Sequence, residues 1–196
     1  MVFRREVPGS QIIAVRGEGM INASITQVSS AILDDQRATE WVDSLVESKL
    51  IKMYGPHEFL EYNHIGTPFV LKDRDFLVHG KVEANLKSGT LTITMASVED
   101  PAVPPGKYIR GHVNGHWNLT SMGNGTQTFL VVEMHADPKG NVPRWIVNLF
   151  QKSWPRNTIE KLRMQSVKPD IKVLPQIAAI FEPVKPVTKP TQTSAR

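Results

Sequence analysis

Two histidines four residues apart, a glycine pair and a few scattered acids are the places where this chain could do chemistry. His112 and His116 have the spacing of a helical metal pair. They fall in a stretch, Tyr108 to Thr120, that reads as a strand, where four residues span roughly 13 Å, too far for one ion. Gly17-Glu18-Gly19-Met20 begins like a dinucleotide-binding loop. It lacks the third glycine and lies in a predicted strand, so no phosphate cradle is expected there. A nucleophile elbow, an HExxH helix and a P-loop are all missing. The chain has no cysteine, which excludes disulfides, thiolate metal sites and cysteine nucleophiles. These residue types argue against catalysis and call for no cofactor or metal.

The composition is that of an ordinary globular protein, 40% hydrophobic and 21% charged over 196 residues, enough for one self-sufficient core. No apolar run approaches the roughly 20 residues of a membrane span. Met1-Val2-Phe3-Arg4-Arg5-Glu6 is not followed by the apolar segment of a signal peptide. A soluble chain is expected, cytoplasmic as written or periplasmic if a leader precedes it. Charge is uneven: residues 1–138 carry −4, residues 139–168 carry +6 and residues 169–196 carry +2. A basic segment after an acidic body is either a solvated helix face or a surface for an anionic partner. It lacks the interleaved aromatics of a nucleic-acid site, so lipid headgroups are the better partner.

Most of the chain alternates with a strand period. Thr90 to Met95 places Leu91, Ile93 and Met95 on one face and three threonines on the other. Asp75 to Glu83 does the same with Phe76, Val78 and Val82, and Lys87-Ser88-Gly89 joins the two as a hairpin. Tyr108–Thr120 aligns Ile109, Val113, Trp117 and Leu119, and turns through Gly123-Asn124-Gly125 into Thr126–Ala136. Shorter strands are expected at Gln11–Met20, Ser44–Met53 and Glu58–Ile65. Helical spacing appears from Ala23 to Leu33, briefly at Arg37–Val42, and from Pro143 to about Val167. Pro143 suits a first helical position, and Pro155 is expected to kink or restart the last helix. Ile171–Phe181 could dock as a short segment, and residues 183–196 read as a disordered proline- and lysine-rich tail. The fold class is therefore α+β: a long antiparallel sheet closed by a C-terminal helix, with room for an apolar cavity between them.

Three stretches carry a specific resemblance. Ala14-Val15-Arg16-Gly17-Glu18-Gly19-Met20 with Arg37-Ala38-Thr39-Glu40-Trp41-Val42 is the first. Pro68-Phe69-Val70-Leu71-Lys72-Asp73-Arg74-Asp75-Phe76 is the second. Pro105-Gly106-Lys107-Tyr108-Ile109-Arg110, Trp117-Asn118-Leu119 and Asp137-Pro138-Lys139-Gly140-Asn141-Val142-Pro143 form the third. Together, in this order over residues 9–167, they resemble START domains, the steroidogenic-acute-regulatory-protein-related lipid transfer family.

The resemblance implies a helix-grip fold over residues 1–167, with an extension at 168–182 and the tail at 183–196. It implies a tunnel for a phospholipid or sterol-like lipid, with the 99–107 loop near its mouth and the 143–167 helix as lid. The cavity candidates are Glu61, Phe76, Val78, Gly80, Val82, Leu91, Ile93, Met95, Val113, Trp117, Ile146 and Phe150. Arg156, Lys161 and Arg163 are the candidates to meet an anionic membrane. Trp41 and Trp145 would pack helices on the sheet, and a monomer is expected.

One departure stands out: several family members set an arginine against a buried acid, and here the acid position is Glu61 but the arginine position is Gly80. Glu61 is then either buried and protonated, able to bind a ligand hydroxyl, or turned to solvent. Gly80 either makes room for a ligand or marks a sheet bend. Arg74 and Asp75 are expected to pair with each other at the strand entrance. The rival function is a polyketide cyclase or aromatase of the same superfamily, for which Glu61 and His79 are the visible acid and base. By alternation His79 points away from the inner face. A third possibility is a closed module that binds no ligand and serves protein contacts.

Overall fold

The computed structural model describes residues 1–67 and 71–181, including all side chains of the long helix except Arg144, Trp145, Asn148, Leu149, Phe150 and Lys152. The Trp145 and Phe150 side chains, Pro68-Phe69-Val70 and the 183–196 tail, each named in the sequence analysis, lie outside these.

Nine strands make one sheet: β1 (Val2–Arg5), β2 (Ala14–Ile21), β3 (Leu45–Gly55), β4 (Glu58–Ile65), β5 (Arg74–Asn85), β6 (Thr90–Ser97), β7 (Ile109–Arg110), β8 (His112–Met122) and β9 (Gln127–Asp137). They run in the order β1-β2-β9-β8-β6-β5-β4-β3, each antiparallel to its neighbours, and β7 pairs parallel with β5. Among the described residues, three α-helices accompany the sheet: α1 (Ile25–Leu33), α2 (Arg144–Ser166) and α3 (Pro175–Phe181), with 3-10 turns at Ala38–Glu40 and Gly123–Gly125. The α+β architecture expected from the sequence is the one observed.

Local chemistry explains the joints. Asn85 Oδ1 accepts from the backbone N–H groups of Lys87 and Ser88, and Gly89 takes a left-handed φ of 63°, closing the β5–β6 hairpin. Ser24 and Gln27 form a reciprocal capping box that starts α1. The register then sets Ile93 opposite Trp117 and Trp117 opposite Val132, with Leu91, Leu119 and Leu130 in the next row. These rows line the face covered by helices.

Several expectations need correction. The long strand from Tyr108 breaks at Gly111, over which the Phe76 ring lies; a Cβ there would be 2.4 Å from Phe76 Cε1. Pro143 is the residue preceding α2 rather than its first helical residue. Pro155 does not restart the helix, which runs as one segment from Arg144 to Ser166. Buried Pro155 instead crosses β2 at Gly17, where a Cβ would stand 2.7 Å from Pro155 Cβ. Gly19 gives the same close approach to the Arg163 guanidinium. The glycine pair therefore seats a helix on a strand. In the 171–181 segment the Leu174 N–H donates to Ser30 Oγ (3.0 Å), and Ile177 is fully buried.

Candidate functional site

The helix-covered face of the sheet has two unlike ends. At one end Leu91, Leu119, Leu130, Val82 and Ile21 meet Val28 of α1, Leu162 of α2 and Ile177 of α3 in a closed core. At the other, the sheet and the first half of α2 stand apart around a cavity of about 600 Å³. The wall between them is aromatic: Trp117 meets Trp41 and Trp154 edge-on, at centroid distances of 6.2 and 6.4 Å. Of the sequence candidates, Glu61, Phe76, Val78, Ile93, Met95, Val113, Trp117 and Ile146 line the cavity. Val82 and Leu91 do not; they share the right face but belong to the closed end, filled by α1 and α3. Gly80 is also outside it. Its cross-strand partner Phe59 lays its ring over it, so that a Cβ would be 2.2 Å from Phe59 Cζ. The room left by the missing side chain is occupied by this chain itself.

Sequence reasoning missed much of the remaining wall. Thr67 and Leu71 between β4 and β5, Asp43 and Ser44 before β3, and Val147, Gln151, Trp154 and Asn157 of α2 all contribute. The helical spacing of Val147, Gln151 and Trp154 was a usable signal; the loop residues carried none, because a loop's facing has no period. Residues 99–107 are not among the described residues that line the cavity. Their strand exit instead covers the other face: Tyr108 stacks on buried His64, centroids 4.0 Å apart, and Arg110 donates to both oxygens of Asp75 (2.9 and 3.2 Å).

That last pair corrects another expectation, because Asp75 belongs to Arg110 and not to Arg74. Arg74 is buried and ties two loops together. Its Nε donates to the Pro138 carbonyl (3.1 Å), its Nη2 to that of Lys139 (3.2 Å) and its Nη1 to that of Lys72. The turn leading into α2 is thereby strapped to the entrance of β5. Burial pulls the Arg74 guanidinium below its ordinary value.

Glu61 faces the cavity. Ser48 Oγ and Asn63 Nδ2 both donate to its Oε1, each at 2.8 Å, and burial pushes its carboxyl above the usual carboxylate range. Glu61 is half-buried in the cavity wall and is not turned to the outer face of the sheet. Two more polar atoms of wall residues, Trp41 Nε1 and Gln151 Oε1, are buried without a hydrogen-bond partner. His79 accepts or donates on the opposite side, 2.8 Å from Glu58. Among the described residues no cluster of three or more His, Asp or Glu could hold a metal ion.

Polar contacts fasten the second half of helix α2 and the residues just after it. Lys161 Nζ and Asn157 Nδ2 donate to Asp43, Arg163 Nε donates to the Met20 carbonyl (2.7 Å), and Gln165 and Lys168 donate to Glu40. Hydrogen bonds from Arg37 and Lys168 hold the Glu40 carboxyl well below the usual carboxylate range. Of the three basic candidates, Lys161 and Arg163 are thus engaged within the chain. Among the described residues, exposed Arg156 pairs with Glu160, 2.9 Å away on the same helix.

A two-ended sheet gripped by one long helix around an apolar hollow has clear relatives. Residues 1–164 match the START domain family. The chain belongs to that family. An uncharacterized protein of Pseudomonas aeruginosa is 28% identical over 170 residues, covering 85% of this chain and 82% of that one. Among solved structures, a fragment of a STAR-related lipid transfer protein from Xanthomonas axonopodis superposes with a TM-score of 0.75 at 26% identity, covering 85% of this chain and 93% of that one. Human StAR-related lipid transfer protein 5 gives a TM-score of 0.77 at 20% identity, covering 84% and 80% respectively, a likeness of fold. START domains are generally binders of lipids and other hydrophobic ligands, and no helix among the described residues is long and apolar enough to cross a membrane.

Proposed function

We propose that this START domain binds one lipid in the cavity beneath α2, leaves it chemically unchanged, and exchanges it with membranes. The cavity carries this reading. Its volume of about 600 Å³ lies within the range of roughly 300–1,000 Å³ usual for small-molecule sites. Its wall is apolar over Phe76, Val78, Ile93, Met95, Val113 and Ile146. Burial of acyl surface there yields roughly 25 cal/mol per Å², and a few polar groups set orientation. The name of the Xanthomonas relative, a lipid transfer protein, points the same way.

Binding without turnover is supported by the isolation of Glu61. An acid–base pair would need a second titrating group in the cavity, but Asp43 is bound by Lys161 and Asn157, and His79 is paired with Glu58 outside it. For membrane approach, the +6 excess over residues 139–168 supports attraction to anionic headgroups. Reversing Lys161 or Arg163 would also unfasten α2, so Arg156 is the clean site for testing that contact.

The test of lipid binding is to fill the space from the sheet. Ala136 of β9 lines the cavity opposite Val113 in register. Ala136→Trp should abolish uptake of a fluorescent fatty-acyl probe from vesicles while the circular dichroism spectrum and cooperative melting persist. A folded A136W protein that still takes up the probe at the wild-type level would refute the site.

A further inference from the structure

We infer that the far end of the cavity holds a polar subsite, made by the Trp41 indole N–H and the Gln151 side-chain carbonyl, which receives an uncharged oxygen near the tip of the lipid's chain. The ligand class is then a lipid with a hydroxylated acyl tail rather than a plain one. The inference rests on reading the cavity as a lipid site, and concerns the end of that site away from Glu61.

Strand register places the subsite. Val82 of β5 pairs with Ile93 of β6, and Ile93 with Trp117 of β8, in the row where the hollow meets the closed core. Glu61 pairs with Val78, four residues back along β5, a separation of roughly 13 Å on a strand. At the inner row the Trp41 ring meets Trp117 edge-on, with 6.2 Å between centroids. Trp154 of α2 meets Trp117 as well, at 6.4 Å. Gln151 lies one helical turn before Trp154, on the same side of the helix. Trp41 and Gln151 both line the cavity.

The hydrogen bonding of this partition is incomplete at two points. Trp117 gives its N–H to Met95 Sδ, 3.3 Å away. Trp41, only 4% exposed, has no acceptor for its N–H, and Gln151, 9% exposed, has no donor for its Oε1. Elsewhere on the wall Asn63 donates to Glu61, Thr67 to the Leu71 and Lys72 carbonyls, and Asn157 to Asp43. A buried polar atom without a partner is disfavoured, and native chains keep few of them. Two on one apolar wall, a donor and an acceptor, mark the place of a group from outside the chain. A hydroxyl has the matching capacities, since its lone pairs take an N–H and its proton goes to a carbonyl. A chain ending in a methyl group would cover both atoms and satisfy neither.

The test is a competition among acids that share one carboxylate head, so that whatever meets the head cancels. Equal amounts of stearate, 2-hydroxystearate and 18-hydroxystearate are offered to the full chain, and the bound species are read by native mass spectrometry. A wholly apolar far end would reject the 18-hydroxyl, because burying it unpaired is costly. The sign of the preference is therefore the readout. The expected result is 18-hydroxystearate bound over stearate by roughly three- to tenfold, the scale of one net hydrogen bond, with no comparable gain for 2-hydroxystearate. Trp41→Phe keeps a ring and removes the N–H; Gln151→Leu removes the carbonyl at similar size. Each should reduce or reverse the preference while stearate still binds. Stearate bound as well as 18-hydroxystearate by the wild type would overturn the inference and leave lipid binding standing. So would a gain confined to 2-hydroxystearate, or a preference that survives unchanged in both variants. If none of the three acids binds, the lipid-binding reading fails with it. Q151L decides if W41F does not fold.

Discussion

Glu61 has two oxygens in different surroundings, and that asymmetry has a measurable cost. Oε1 is held by Ser48 and Asn63, while burial disfavours the ionised carboxyl as a whole. Its folded value lies above its unfolded one, so the folded chain keeps this proton to higher pH than the unfolded chain does. Between those two values the unfolded state releases its proton first, and stability falls as pH rises. Glu61→Gln removes that loss. Urea unfolding across the weakly acidic range should therefore give E61Q a flatter or rising dependence where the wild type declines. Parallel curves for the two proteins would mean that Glu61 ionises freely in the fold. From sequence, Glu61 was visible as an isolated acid on a strand, but its facing was not, because Glu61, Tyr62 and Asn63 are all polar-capable and the alternation there is blurred.

At the scale of elements, the contact that positions the lid is between α2 and β2. Pro155, Ile159 and Arg163 fall one above the other along the helix and cross Gly17 and Gly19, where a Cβ would collide with each in turn. Gly17→Val should push the helix outward and cost about 1–3 kcal/mol, as overpacking does, which corresponds to roughly 3–10 °C in Tm for a chain of this size. A G17V protein melting with the wild type would contradict the close packing. The strands with clean alternation, such as Thr90 to Met95, were legible in the sequence with their facing. Strand β1 was not, because all four of its residues are exposed and share no periodic face. The Gly17–Gly19 pair looked like a fragment of a nucleotide loop, since only the distant Pro155 and Ile159 reveal what the missing side chains allow. Arg74 and Asp75 sat side by side in sequence, yet on a strand adjacent residues point to opposite faces, which sends one to the carbonyls before α2 and the other to Arg110.

For the whole molecule, the defining feature is that one continuous sheet face is half core and half hollow. Alternation assigned Val82, Leu91, Ile93 and Met95 to that face correctly, but the division between them depends on where α1 and α3 settle, a long-range outcome that no local pattern encodes. The family could be read from motif order; the site could be read only in part, because its loop walls and the helix seat are tertiary facts. The account stands or falls on the hollow being a lipid site. The most direct measurement is native mass spectrometry of freshly purified protein, followed by solvent extraction and identification of what was bound. The account predicts one lipid per chain, lost on extraction and absent from A136W. A clean ligand-free mass that persists after incubation with neutral lipids, phospholipid vesicles and sterols would contradict it.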